Sequence, residues 1–249
     1  MTGRHRLRSI LTLAYMNGFV PIRRQPLYLI GLIASPLSFL FFIFVASNGT
    51  LLLYGISGGM LLTVLSIGTS LQADLAHYRH DLKLQDVVVA SPVEAWVYVG
   101  GLALSELVYS IPGMAVFAVL WATSGTATVV SALTLLAVLL VVWAFASALG
   151  FTIATYFSDV RETFAFAPLV SIILSVLPPV YYPISRIPSA IRPLALLSPT
   201  TYAADLLHGA VGIAPGPTLT GSLVDWAVLL GVTGALFVVA SAKARWREP

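Results

Sequence analysis

Polar residues along this chain are crowded into a few short connections. The apolar stretches between them run to about 20 residues, the length a helix needs to cross roughly 30 Å of hydrocarbon. Six such runs are placed at residues 27–47, 50–71, 96–121, 127–157, 163–181 and 223–242. Only Ser47-Asn48-Gly49 separates the first two, which predicts an antiparallel helical hairpin. The fourth run is too long for one perpendicular crossing and is expected to tilt, protrude or break near Gly150. Ahead of the first run, Leu7, Ile10, Leu11 and Ala14 share one helical face and Arg4, Arg8 and Thr12 another, so residues 4–25 contain a helix expected to lie along the membrane interface. Pro21 and Pro26 bracket Arg23-Arg24 and are expected to turn the chain into the first span.

The stretch 182–209 is different in kind. Pro183, Pro188, Pro193 and Pro199 each remove a backbone donor, Ser198-Pro199 suits a helix start and Gly209 a helix stop. Two short helices of this kind cannot cross a bilayer, and non-helical backbone survives at membrane depth only where protein or water satisfies its polar groups. The segment therefore dips in and returns, or caps the bundle from outside. The expected fold is an all-α integral membrane protein, a single transmembrane domain over residues 1–249. It has six spans, an interfacial amino-terminal helix and an extracellular re-entrant pair of broken helices before the last span.

Composition narrows the class further. With 58% apolar and 9% charged residues the chain has too little polar surface for a soluble domain. There is no cysteine, hence no disulfide framework, thiolate metal site or cysteine nucleophile. The net charge of +3 sits in short connections beside apolar runs, which is not a nucleic-acid-binding pattern. The first residues are basic but lack an apolar core followed by a small-residue cleavage site, so they read as retained rather than as a cleaved leader. Eleven of the cations, among them Arg4, Arg24, Arg79, Lys83, Arg161 and Arg245, fall on one side of the predicted topology and only Arg186 and Arg192 on the other. Retention of positive charge inside the cell puts both termini and the 72–95 and 158–162 connections in the cytoplasm, and 182–222 outside.

Tyr182-Pro183, Ile187-Pro188, Leu194 and Ser198-Pro199-Thr200-Thr201-Tyr202-Ala203, together with the run 82–92, resemble the permeases of type 2 ABC exporters, which pump lipids, glycans or drugs outward. The short loops look closest to the drug-resistance and the nodulation-factor or polysaccharide exporters of that family. The resemblance implies a prokaryotic plasma-membrane permease with a second permease chain, identical or homologous. Two copies of a separate ABC ATPase would bind the ATP and magnesium. It also implies that the 72–95 connection carries a coupling helix, with His80, Asp81, Leu82, Leu84 and Asp86 meeting the ATPase; read from its residues alone, the connection is a short helix with a wet and a docking face, or an ordinary solvated loop. The amino-terminal helix would then be a lipid anchor, a contact for the ATPase, or both.

Candidate chemistry is sparse. Neither Lys83 nor Lys243 follows a glycine-rich phosphate loop, and no metalloprotease or serine-hydrolase motif is present, so the chain reads as a transport subunit and not an enzyme. His77 and His80 near Asp74 and Asp81 have ligand-like spacing without a nearby third histidine, which does not amount to a metal site. Glu106 lies about three turns into the third span and is either hydrogen-bonded within the protein or part of a substrate path. Asp225 lies near the outer start of the last span. Tyr181, Tyr182, Pro199 and Tyr202 are candidates for an outer pathway or gate; Trp143, Tyr156 and both tyrosines at 181 and 182 also fit an interfacial belt. Gly55, Gly58, Gly59, Ala146 and Gly150 mark possible close helix contacts. Outside this reading stand an ATP-independent channel or secondary carrier, which would carry more intramembrane charge, and an intramembrane enzyme, which would need a paired acid, base or nucleophile. The topology has a direct test on this cysteine-free background. Lys83→Cys and Arg245→Cys are expected to react with an impermeant thiol reagent only from the cytoplasmic side, and Arg192→Cys only from outside; external labelling of Lys83→Cys reverses the topology.

Overall fold

The computed structural model describes residues 3–24, 26–80, 93–157, 159–213 and 218–243. No strand occurs among them. The helices are α1 (Gly3–Ala14), α2 (Val20–Arg24), α3 (Pro26–Ala46), α4 (Leu52–His80), α5 (Ala95–Thr123), α6 (Val129–Ala154), α7 (Val160–Val176), α8 (Arg192–Leu196), α9 (Pro199–Ala210) and α10 (Leu219–Lys243). A π-helical turn, Tyr15–Phe19, joins α1 to α2, and a 3₁₀ turn, Ile184–Arg186, precedes α8.

Four helices are long and apolar enough to cross a membrane, over Leu52–Tyr78, Trp96–Thr123, Val129–Ala154 and Leu219–Ser241. The other two predicted spans correspond to α3, whose qualifying apolar stretch is Ile33–Ala46, and to the 17-residue α7. At 1.5 Å per residue α7 is about 25 Å long, short of the hydrocarbon thickness. The fifth run was expected to continue to 181, but Pro178 and Pro179 cannot donate the next helical hydrogen bonds and disfavour helix in the residue before them, so α7 stops at Val176.

The Ser47-Asn48-Gly49 hairpin is present. Asn48 and Gly49 take left-handed φ values of 49° and 80°, and the Ser47 hydroxyl donates to the Ile43 carbonyl at 2.6 Å while accepting from the Leu51 N–H at 3.2 Å. The expected break at Gly150 is absent. α6 is one helix from its Thr128 cap, whose hydroxyl accepts from the Ser131 N–H, to Ala154. Gly150 instead packs: a Cβ there would lie 3.2 Å from the carbonyl oxygens of both Gly68 and Thr69.

That contact belongs to a larger pattern. α4 packs against α3, α5, α6, α7 and α9, and 78% of its apolar window is buried against 22% for α10. Its glycines are spaced so that each admits a different neighbour: Leu40 of α3 over Gly55, the Tyr181 ring over Gly58, Phe117 of α5 over Gly59 and Ala146 of α6 over Gly68. The buried hydroxyls of α4 bond to its own preceding carbonyls, Thr63 to Gly59 at 2.7 Å and Thr69 to Leu65 at 2.8 Å, so no polar group is offered to lipid. α4 is accordingly the least apolar of the four long helices, because it is surrounded by protein.

The chain from α1 to α2 does not simply lie on a surface. Leu13 sits against Gly101 of α5, and Gly18 is buried 3.1 Å from Ser105 and Val108 at the would-be Cβ. The π turn, in which the Val20 N–H reaches the Tyr15 carbonyl, lets the helix pass Pro21, so α2 runs on to Arg24 and α3 begins at Pro26. Gly150→Ala is expected to lower the unfolding temperature by several degrees, since its Cβ meets backbone that cannot rotate away and overpacking costs about 1–3 kcal/mol. Gly231→Ala, with open space around it, serves as the control. Thermal unfolding in detergent followed by tryptophan fluorescence decides; equal melting of the two variants removes the seam as a determinant of packing.

Candidate functional site

The predicted functional residues separate into two ends of the bundle. One end, here the amino-terminal end, gathers α1, the finish of α4, the start of α5 and the finish of α6 and α10. The opposite end carries the α3–α4 and α5–α6 turns and the broken helices.

At the amino-terminal end the predicted 72–95 connection is shorter than expected. α4 continues unbroken through His80, because Ala73, Leu75 and Ala76 keep an apolar face buried well past the run that ended at 71. His80 is thus the last described residue of α4. Asp81, Leu82, Leu84 and Asp86 lie outside the described residues.

The longer helix also changes the meaning of Asp74. It is a residue of α4, not of a loop, and its carboxyl faces that of Glu106 on α5, where Ser70 Oγ donates to Glu106 Oε2 at 2.8 Å. Glu106 is 2% exposed. Ser70 and Asp74 are one turn apart on α4, a spacing visible in the sequence once the helix is extended past 71. Nearby, Tyr78 donates to the Asn17 side chain at 3.2 Å and ties α4 to the amino-terminal helix. Arg6 of α1 pairs with Glu94 just before α5 and lies over the Trp96 ring. The Trp96 indole N–H, and then Arg6, hold the Glu94 carboxyl below the usual carboxylate range. Among the described residues no group of three His, Asp or Glu could hold a metal ion.

At the opposite end the motif Ser198-Pro199-Thr200-Thr201-Tyr202 works as a set of ties. Pro199 occupies the first turn of α9. Ser198 does not cap the helix through its side chain but pairs with the Thr200 hydroxyl at 2.7 Å. Thr200 donates to the Leu174 carbonyl of α7 at 2.6 Å, Thr201 to the Ala195 carbonyl of α8, and Tyr202 to the Leu196 carbonyl at 2.9 Å. Three side chains thereby bond carbonyls in the last turns of α7 and α8; that of Ala195 also accepts from the Ser198 N–H. Tyr182 acts likewise, donating to the Leu177 carbonyl at 3.1 Å.

Gly209 was expected to stop this helix and does not. It lies inside α9, and the stop is Gly212, at φ +92°, where the Ile213 N–H reaches the His208 carbonyl and the Gly212 N–H the Gly209 carbonyl. This is the reciprocal pair of bonds that a left-handed residue after a helix allows. The Thr126 hydroxyl then fastens the cap to the α5–α6 turn through the Val211 carbonyl at 2.7 Å. Two residues that the sequence reading passed over complete this end: His208, whose ring meets Tyr54 edge-on at 4.6 Å and pairs with the Val180 carbonyl at 3.0 Å, and Asp205, which burial and then Asp225 push up to about 6.

The pathway candidates do not form one site. Tyr182 and Pro199 line an apolar groove of about 860 Å³ at this end, with Arg186 on its wall. Tyr181 points inward instead, buried over Gly58 and stacked on Phe39 at 5.6 Å. Tyr202 is held down on Leu196. Glu106 meets α4 at Ser70, 12 residues or roughly 18 Å along the helix from Gly58. The cap assignment is checked by paired substitution. Gly212→Ala forces a Cβ into left-handed backbone 2.9 Å from Thr126 and is expected to destabilise by more than about 1 kcal/mol, whereas Gly209→Ala keeps a helical backbone and is expected to be tolerated. Thermal unfolding and protease resistance of residues 182–213 give the comparison; the reverse order rejects the cap.

Residues 11–211 match the family model of the ABC-2 type transporter membrane domain, well over half of the 249-residue chain. Comparison with individual curated proteins gives no match.

Proposed function

Since the chain belongs to the ABC-2 type transporter family, we propose that it is the permease subunit of an ATP-driven exporter that moves an amphipathic or hydrophobic substrate, of drug, lipid or glycan type, out of the cytoplasm. The family match over residues 11–211 carries this reading. The sequence adds that no glycine-rich phosphate loop precedes either lysine, so ATP and magnesium belong to a partner ATPase, present in two copies. In the working particle two permease chains, identical or homologous, stand side by side in a prokaryotic plasma membrane. Each has six spans, with α3 and α7 completing the four long helices, and both termini are cytoplasmic, as the eleven-to-two division of cations favours.

The packing supports a mechanical role for α4. Its end at His80 leads into the proposed coupling residues Asp81, Leu82, Leu84 and Asp86, and its body touches α3, α5, α6, α7 and α9. A push delivered at that end is passed to most of the bundle, because tightly packed helices shift as bodies and do not deform. At the far end of α4, Tyr181 sits on Gly58 and Tyr54 on His208, so the same helix reaches the base of the broken-helix segment and its groove. In this reading Tyr182, Pro199 and Tyr202 shape the exit.

One observation favours a second reading. Two facing carboxyls inside the bundle, Asp74 and the buried Glu106, are what a proton-coupled carrier uses, and such a carrier needs no ATPase. The two readings part in one experiment. With Leu82→Asp and Leu84→Asp together, the permease is expected to insert normally while copurifying ATPase falls at least tenfold and transport stops, since a charge on a buried contact of a protein interface costs about 2 kcal/mol or more. Transport that persists in this variant, or in membranes stripped of ATPase, rejects the exporter reading in favour of the carrier.

A further inference from the structure

α5 and α6 meet only marginally, and α10 packs on α6 and α9. Between them, at the amino-terminal end, lies a cleft of about 530 Å³, within the range of about 300–1,000 Å³ usual for small-molecule sites. Its walls include four aromatic rings, Trp96, Trp143, Phe151 and Phe237, and among the described residues they carry no charged side chain. Gly100 opens one wall, with nothing within 4 Å of where its Cβ would stand. At the rim Trp96 and Phe237 are 54% and 50% exposed, on helices long and apolar enough to cross a membrane, so the mouth opens toward lipid.

The cleft is not uniformly apolar. Ser147 lines it, is 5% exposed, and its hydroxyl has no hydrogen-bond partner. The other polar groups of the wall are occupied: Trp143 Nε1 donates to the Ala103 carbonyl at 3.0 Å, and the Ser241 hydroxyl to the Val238 carbonyl at 2.9 Å. Gln72, next in sequence to the wall residue Leu71, is also buried with both amide atoms unpartnered. An unsatisfied buried hydroxyl destabilises the fold around it, and a ligand that supplies the missing partner recovers the loss. Ser147 lies seven residues before the end of α6, about 10 Å inside it, so the polar group of a ligand would enter first and its hydrocarbon trail toward the rim.

We propose that this cleft binds one neutral lipophile drawn from the bilayer, with a long hydrocarbon body and a single hydroxyl head that pairs with Ser147. Neutrality follows from the described wall residues, none of which is charged; the charged groups at the rim, Arg6 and Glu94 on Trp96, are paired with each other. The site lies at the opposite end from the groove of Tyr182 and Pro199 and does not rest on the exporter reading, since binding is read on the permease alone without ATP.

The test uses the full chain in lipid nanodiscs and a diazirine-bearing analogue of hexadecanol as the photoprobe. Crosslinks are expected in the peptides holding Trp96 to Ala103 and Trp143 to Phe151, and excess hexadecanol, but not hexadecane or palmitate, is expected to compete. Gly100→Leu fills the cleft and is expected to cut this labelling at least tenfold. Ser147→Ala removes only the hydroxyl oxygen and is expected to weaken hexadecanol competition about five- to tenfold. Size-exclusion profiles establish that each variant is folded; if Gly100→Leu does not fold, Ser147→Ala decides by itself. Labelling spread over lipid-facing residues such as Phe41 and Phe42, equal competition by hexadecane, or unchanged competition in Ser147→Ala overturns the proposal.

Discussion

Hydrocarbon tails are as apolar as leucine, so inside a bilayer burial of apolar surface does not drive helices together as it does in water. Close van der Waals fit and satisfied polar groups have to do it. In this chain the fit is concentrated on α4. Gly55, Gly58, Gly59 and Gly68 each receive a neighbour that a side chain would exclude, and Gly150 answers from α6 by letting two backbones approach. The buried hydroxyls of the same helix return to its own carbonyls, and Ser70 donates to Glu106 across to α5. With α4 enclosed, α3, α6 and α10 are free to present Phe41, Phe42, Leu133, Leu136 and Val238 to lipid.

The broken helices follow the same rule at the other end. A segment rich in proline leaves carbonyls without helical donors, and in a membrane protein each must find a partner. Thr200, Thr201, Tyr202 and Tyr182 supply them from side chains, reaching back to α7, α8 and the turn after α7. The segment is therefore held by specific bonds and by the apolar side of α9 on α4 and α6, not by helix propensity, which five residues of α8 and twelve of α9 cannot supply. This fixes the groove at that end while leaving its apolar wall open.

The two ends are mechanically joined but chemically separate. The carboxyl pair and the lipid-facing cleft belong to the amino-terminal end; the groove, His208 and Asp205 belong to the other. α4 is the element common to both.

The sequence by itself determined the membrane class, the positions of the long helices, the Asn48–Gly49 hairpin and the broken character of 182–209. Each of these is a local property: run length, a left-handed turn residue, or a proline without a donor. It also marked Glu106 as a buried acid and the small residues of α4 and α6 as contacts, because charge and side-chain size are legible one residue at a time. Helix ends were less legible. α4 outran its apolar run because protein, and not lipid, surrounds its last turns, and Gly209 was taken for the stop because only backbone geometry distinguishes it from Gly212. The partners were decided by tertiary structure alone: Asp74 for Glu106, Gly58 for Tyr181, Leu174 for Thr200. These pairings join residues 26 to 123 positions apart, and what brings them together is the packing of whole helices around α4, which no local pattern encodes.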